Sequence, residues 1–212
     1  MSKIKFESLR AILPDVSRET FERLLAFETI FRDWSSRMNL ASASSLEHLW
    51  DRHILDSAQL AALAPMRGIW LDAGSGGGFP GVVLAVLMDE QGAAGQVHLV
   101  ESIGKKASFL KAALEGTGSC GTVHLMRVES AGALNLDVET VTARALAPLP
   151  ELLKLTFPWL KTGAKGLFHK GRRHREEIAA ARGGWRFDLL EHQSRTDADS
   201  VILEISNVSQ RL

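Results

Sequence analysis

Leu71-Asp72-Ala73-Gly74-Ser75-Gly76-Gly77-Gly78-Phe79-Pro80-Gly81 lies between two apolar runs, Ile69-Trp70-Leu71 and Val82-Val83-Leu84-Ala85-Val86-Leu87. Five glycines fall in the eight positions from 74 to 81. Glycine takes positive φ at little cost and lets a ligand approach the backbone with no Cβ in the way. Between a buried strand and a helix, such a loop aims free N–H groups at a bound molecule. The stretch therefore predicts a strand, a glycine loop and a helix that together form a nucleotide site.

The kind of nucleotide is a separate question. Gly76-x-Gly78-x-x-Gly81 formally fits the dinucleotide fingerprint, although a single match of that kind is also met in glycine-rich turns that bind nothing. No Gly-Lys-Ser/Thr follows, which excludes a Walker A loop. Asp72-Ala73-Gly74-Ser75-Gly76 resembles the D/E-x-G-x-G opening of class I S-adenosylmethionine (AdoMet) methyltransferases. AdoMet has no pyrophosphate, so its loop needs close backbone approach rather than a phosphate cradle. Downstream, the β-prone run Val97-His98-Leu99-Val100 ends at Glu101. An acidic residue in that place accepts hydrogen bonds from ribose hydroxyls. NAD and AdoMet both carry such a ribose, so Glu101 supports a nucleotide site without separating the two.

Composition sets outer limits. The chain has 212 residues, 45% hydrophobic and 24% charged, with zero formal net charge. That is ordinary for a soluble protein able to bury a full core. Nucleic-acid binding would have to use a local patch. The lone cysteine, Cys120, allows no intrachain disulfide, and the seven histidines show no HExxH or clustered spacing, so no metal site is expected. No signal-peptide apolar core and no 18-residue apolar run is present, so a cytoplasmic location without membrane contact is expected. No long apolar seam asks for a partner copy, and a monomer is expected.

The chain divides at about Pro65-Met66-Arg67-Gly68. Residues 1–67 read as a helical extension. Phe21, Leu24, Leu25, Phe31 and Trp34 follow helical spacing behind a Ser17 N-cap, and Ser44-Ser45-Leu46-Glu47 reads as a capping box opening a helix through Ser57. Residues 68–212 alternate strand and helix, with strands at 69–71, 97–100, 122–126, 140–143, 166–170, 185–191 and 201–206. Helices are expected from Lys105 to Leu114, Pro148 to Trp159 and Arg172 to Arg182. The short link between the last two strands makes them antiparallel, while the alternation elsewhere implies a parallel, doubly wound sheet. The expected fold is α/β, the class I AdoMet-dependent methyltransferase (Rossmann-like) architecture, with a seven-stranded, mostly parallel sheet and an antiparallel last pair.

A sequence of motifs narrows the resemblance. In order come Asn39-Leu40, Arg52-His53-Ile54-Leu55-Asp56-Ser57, the Gly74–Gly81 loop, Glu101-Ser102-x-Gly104-Lys105-Lys106-x-x-Phe109-Leu110, Arg127-Val128-Glu129, Ala143-Arg144-Ala145 and Lys170-Gly171. Together they resemble the RsmG (glucose-inhibited division protein B) family, across nearly the whole chain. That family methylates N7 of a guanine in bacterial small-subunit ribosomal RNA. Two departures stand out: Ala41 follows Asn39-Leu40 where the family usually has Thr, and His169 precedes Lys170 where an apolar residue is commoner.

The resemblance implies roles. Gly74, Gly76, Phe79, Glu101, Ser102, Val128, Glu129 and Arg144 would bind AdoMet, with Glu101 on the ribose and Val128-Glu129 at the adenine. Arg144 would hold the methionyl carboxylate or the target nucleotide. Lys105, Arg127, Lys170, Arg52 and His53 would meet the RNA, as naked small-subunit ribosomal RNA or an assembled subunit. Blander readings stand beside these. Glu129 suits a solvated carboxylate at a helix start, Arg144 a strand-end surface residue, and Arg172-Arg173-His174-Arg175 a helix face neutralised by Glu176 and Glu177. His53 and Asp56, three apart on one helical face, read as a structural hydrogen-bonded pair.

No general base is expected. Guanine N7 already carries an in-plane lone pair, and methyl transfer depends on proximity and alignment. Cysteine-based pyrimidine activation would need a second cysteine, and the Asp/Asn-Pro-Pro-Tyr/Phe motif for exocyclic amines is absent. Two other classes remain open: an NAD(P)-linked oxidoreductase and a non-catalytic RNA-binding module on the same fold. The chain has no Tyr, which removes the Tyr-x-x-x-Lys acid of short-chain dehydrogenases. A module released from cofactor binding would have no need of the loop and Glu101.

Overall fold

The computed structural model describes residues 2–38, 40–90 and 95–211, with backbone alone for Ala43 and Ser44. Asn39, part of the first motif above, lies outside the described residues. Seven strands form one sheet: β1 (Gly68–Ala73), β2 (Gly95–Glu101), β3 (Gly121–Leu125), β4 (Val138–Arg144), β5 (Lys165–Lys170), β6 (Trp185–Gln193) and β7 (Val201–Gln210), in the order β3-β2-β1-β4-β5-β7-β6. β1 to β5 run parallel, and β7 is inserted antiparallel between β5 and β6. The order reverses beside β1, which places a crevice at the carboxyl ends of β1, β2 and β4, where ligands bind in open α/β sheets.

Side-chain alternation sorts the strands into two apolar layers. Trp70, Leu167 and Ile202 face one core, while their neighbours Leu71, Phe168 and Leu203 face the other. The second core is closed by α7 (Leu149–Leu160) and α8 (His174–Gly184). The first is closed by α5 (Gly81–Glu90) and α6 (Gly104–Thr117), and beyond them by α1 (Ser2–Ile12) and α2 (Arg18–Ser35). α5 is buried at every position from Gly81 to Met88, because the sheet covers one side and the N-terminal helices another. Such an all-round apolar helix has to be enclosed, which accounts for the uninterrupted run Val82–Leu87. The described residues before β1 therefore share one core with the sheet, through Phe21, Leu24, Phe27 and Phe31.

α2 starts where expected, with Ser17 Oγ accepting the Thr20 N–H at 3.1 Å. The next segment differs from the expected long helix. α3 (Ala43–Glu47) is capped by Ser42, whose Oγ accepts the Ser45 N–H at 3.2 Å, so the cap lies two residues before Ser44. A π-helical turn from Trp50 to Leu55 follows, running into α4 (Asp56–Ala58). Packing governs this stretch: Leu49, Trp50 and Ile54 are all buried, and Trp50 meets Phe21 edge-on at 5.6 Å. His169 leaves the end of β5 undisturbed, since that strand pairs regularly with both neighbours through His169. Among the described residues no helix is long and apolar enough to cross a membrane, and no three metal-ligating side chains cluster.

Candidate active site

The glycine loop leaves β1 at a buried carboxylate. Asp72 is 1% exposed; its Oδ2 accepts the Gly81 N–H at 3.1 Å and its Oδ1 the Thr142 hydroxyl at 2.9 Å. These bonds tie the far end of the loop back to β1, and β1 to β4. Burial pushes the Asp72 pKa up to about 6, against the pull of the Thr142 and Gly81 hydrogen bonds. Gly81 has to be glycine, because a Cβ there would stand 2.5 Å from Asp72 Oδ2. Gly76 has φ +52°, and a Cβ on it would meet only Gly74 O, at 3.7 Å. It would project into free space beside the loop, the side a ligand needs.

That space is a cavity of about 470 Å³ at the crevice. Gly74, Gly76, Phe79, Glu101, Ser102, Val128, Glu129 and Arg144 all line it, so the eight residues singled out for a cofactor converge on one hollow. Glu101 is buried at its floor, with Oε2 accepting the Gly76 N–H at 2.9 Å and Oε1 the Ile103 N–H at 2.7 Å. Oε2 thus holds the glycine loop and Oε1 the start of α6, and each keeps lone-pair capacity for a further donor. Val128 and Glu129 open a short 3₁₀ helix, Val128–Leu134, after β3.

The N-terminal helices complete the wall. Phe31, Leu40, Ala41 and His53 line the same cavity. Phe79 is held between Phe27 and Phe31, at 5.2 and 5.1 Å, and His53 stacks on it at 5.1 Å. Sequence reasoning placed Phe31 in the core and missed its share in the site, because helical spacing shows that a face is buried but not what it is buried against. It also missed Met126 and Leu155 of the same cavity.

His53 and Asp56 do not form the pair expected from their spacing. The π-helical turn departs from the 3.6-residue repeat behind that expectation, and Asp56 finds other partners. Asp56 Oδ1 accepts from Gln59 Nε2 at 2.7 Å, Thr196 Oγ1 at 3.1 Å and Ser194 Oγ at 3.3 Å. Its Oδ2 faces Arg144 Nε at 3.5 Å and His169 Nε2 at 3.6 Å. His53 Nε2 is buried without a hydrogen-bond partner among the described residues. Burial and the Arg144 charge lower the His53 pKa to about 4, with Asp56 opposing, so the imidazole is neutral at neutral pH. Arg144 donates from Nη2 to the Arg52 carbonyl at 2.8 Å and borders two cavities. Ala145, beside it, has φ +55°, a left-handed conformation that costs an L-residue about 1–2 kcal/mol.

The basic residues divide. Arg127 lines the first cavity, and of the lysine pair it is Lys106 that does so, with Lys105 exposed outside it. Arg52 is exposed at the second cavity. Lys170 departs from the expected free cation. Its side chain is 8% exposed and donates to the Ala147 carbonyl at 2.7 Å, with Glu177 Oε2 at 2.8 Å. Arg172 pairs with Asp199 and Arg173 with Glu176, so this end of the sheet is largely neutralised.

The strand order, the glycine loop at the β1 edge and the acidic end of β2 define a class I methyltransferase fold. Similar solved structures include MtNAS in complex with S-adenosylmethionine, with TM-score 0.59, 17% identity and coverage of 95% of this chain and 83% of that one. Another is Aeropyrum pernix fibrillarin with natively bound S-adenosylmethionine, with TM-score 0.54, 18% identity and coverage of 73% and 75%. The family model for rRNA small subunit methyltransferase G (GidB) matches residues 20–204, and the chain belongs to that family. Relatives named ribosomal RNA small subunit methyltransferase G are 52% identical in Chelativorans sp., over 96% of this chain and 97% of theirs, and 53% identical in Brucella canis, over 98% and 97%.

Proposed function

We propose that this protein transfers the methyl group of AdoMet to N7 of a guanine in small-subunit ribosomal RNA. The carrying observation is the convergence of the glycine loop, Glu101 and Val128-Glu129 on one cavity in a chain of this family. The cavity offers charges of both signs to a ligand that carries both. Glu101 and Glu129 face Lys106, Arg127 and Arg144, and AdoMet itself carries an ammonium, a sulfonium and a carboxylate.

Gly74 and Gly76 let the molecule lie on the backbone. Glu101 accepts the ribose hydroxyls with the lone pairs its two N–H donors leave over. Val128 and Glu129 read the adenine edge, Ser102 lies beside Glu101, Phe79 supplies an apolar wall, and Arg144 stands at the methionyl end where the cofactor meets the target nucleotide. AdoMet, when bound, supplies an electrophilic methyl group on sulfur. The protein's part is alignment, since N7 needs no proton removed. Neutral His53, stacked on Phe79, adds an uncharged ring to the cavity wall. Arg52, Arg127 and Lys105, with Lys106, meet the RNA backbone, and the protein acts as a monomer in the cytoplasm.

Calorimetry and label transfer test this reading. AdoMet should bind and NADH should not, and label from methyl-tritiated AdoMet should enter small-subunit RNA in preference to large-subunit RNA. NADH binding without AdoMet binding would overturn it.

A further inference from the structure

The second cavity, about 570 Å³, adjoins the first through His53, Arg144, Ala145 and Leu146, which line both. Its charged lining balances: Arg52, Arg144 and Lys170 against Asp56, Asp197 and Glu177. A phosphate site would carry excess positive charge, whereas a base presents alternating donors and acceptors at its edges and no net charge. His169, buried in this lining, keeps Nδ1 without a hydrogen-bond partner among the described residues. We propose that this cavity receives the target guanine, unstacked from its RNA, and that Asp197 is the specificity-determining residue reading its N1–H and N2–H₂ donors. The proposal rests on the methyltransferase reading and adds which residue chooses guanine.

The assignment follows from what the three carboxylates already do. Asp56 is used up, with three donors on Oδ1 and Arg144 and His169 beside Oδ2. Glu177 Oε2 accepts from Leu149 N–H at 2.8 Å and faces the Lys170 ammonium at 2.8 Å. Asp197, in the β6–β7 connection, accepts one bond on each oxygen, from Asp199 N–H and Ser200 Oγ, both at 3.0 Å. It is exposed and forms no ion pair among the described residues. About four lone-pair sites on a carboxylate leave room for two more donors.

The connection that carries Asp197 is fixed from below. Thr196 and Ser194 bond to Asp56, and Arg195 N–H donates to Gln59 Oε1 at 3.0 Å. Guanine presents N7 and O6 on one edge and N2–H₂ on the other. With its donor edge at Asp197, the N7 edge turns toward the junction with the first cavity, where Arg144, a donor only, suits O6 and opposes the amino group adenine carries there. Enzymes acting on bases read the extruded base by its hydrogen-bonding edge in this way.

The test pairs a residue change with a base change. Small-subunit RNA is assembled with guanosine or inosine at the position the wild-type protein methylates, inosine lacking only the N2 amine. Methyl transfer is measured for wild type and Asp197→Asn, whose side-chain oxygen still accepts from Asp199 N–H and so keeps the turn. Wild type should favour guanosine about tenfold in kcat/KM, the effect of one hydrogen bond to a charged group. In Asp197→Asn that preference should fall to near one, with AdoMet affinity and Tm unchanged. A tenfold preference retained in the variant would overturn the proposal, as would wild type that treats both bases alike. Tighter RNA binding by the variant would also overturn it, marking the cavity as a phosphate site. No transfer by wild type to either RNA would instead overturn the activity reading beneath it.

Discussion

Replacing Asp72 by Asn probes how the glycine loop is fastened. The buried carboxyl holds Gly81 N–H and the Thr142 hydroxyl, and burial raises its pKa from 3.8 to about 6. The folded protein thus keeps a proton over a pH window in which the unfolded chain has lost it. The stabilisation is complete below about pH 3.8, declines as pH rises through the window, and is gone above about pH 6. At about 1.36 kcal/mol per pH unit, the gap corresponds to about 3 kcal/mol. Asn cannot ionise. Its oxygen takes the Gly81 N–H and its amide donates to Thr142 Oγ1, so both contacts persist with one reversed. Urea unfolding of both proteins at intervals between about pH 4 and 7.5 gives the stability of wild type minus variant, which should fall by about 2.4 kcal/mol of that as pH rises. The difference is the quantity to read, because His53 acts with the opposite sign. Its lowered pKa gives stability that is present above about 6.5 and lost as pH falls toward about 4. A flat difference curve would refute the burial argument, and a rising one would mean that the ionised carboxylate stabilises the loop.

Other outcomes follow from the same geometry. Glu101→Ala should weaken AdoMet by about 1.5–3 kcal/mol, the worth of hydrogen bonds to a charged group, as read by calorimetry. Lys170→Ala should lower Tm and leave the salt dependence of RNA binding unchanged, since its ammonium is committed to Glu177 and Ala147. Arg52→Ala and Arg127→Ala should each flatten that dependence by about 0.7 in slope, as lost phosphate contacts on a single strand do. The His53 ring should titrate near pH 4 by NMR, and single-turnover methylation should be nearly flat from about pH 6.5 to 9; a tenfold rise per pH unit removed by one substitution would show a general base.

The sheet was legible because its signals are local. Apolar strands between glycine turns and the strand–loop–helix at Gly74–Gly81 carry their own period and punctuation, and the eight proposed cofactor residues sit at strand ends that topology brings together. Contacts across the chain were not legible in the same way. Phe79 is framed by Phe27, Phe31 and His53, drawn from a segment that by itself reads only as amphipathic helix. The His53–Asp56 spacing misled because a π-helical turn replaces the regular repeat. Lys170 read as a free cation because Glu177 lies seven residues on, and only the turn from β5 into α8 brings the two together.

The most direct measurement is the identity of the methylated nucleoside. Small-subunit ribosomal RNA is incubated with the protein and isotope-labelled AdoMet, digested to nucleosides and analysed by mass, with borohydride–aniline cleavage marking any 7-methylguanosine in the chain. Label should appear in 7-methylguanosine at one guanine, dependent on Glu101. Label in a 2′-O-methyl ribose, an exocyclic amine or a pyrimidine carbon, or no label in small-subunit RNA at all, would contradict it.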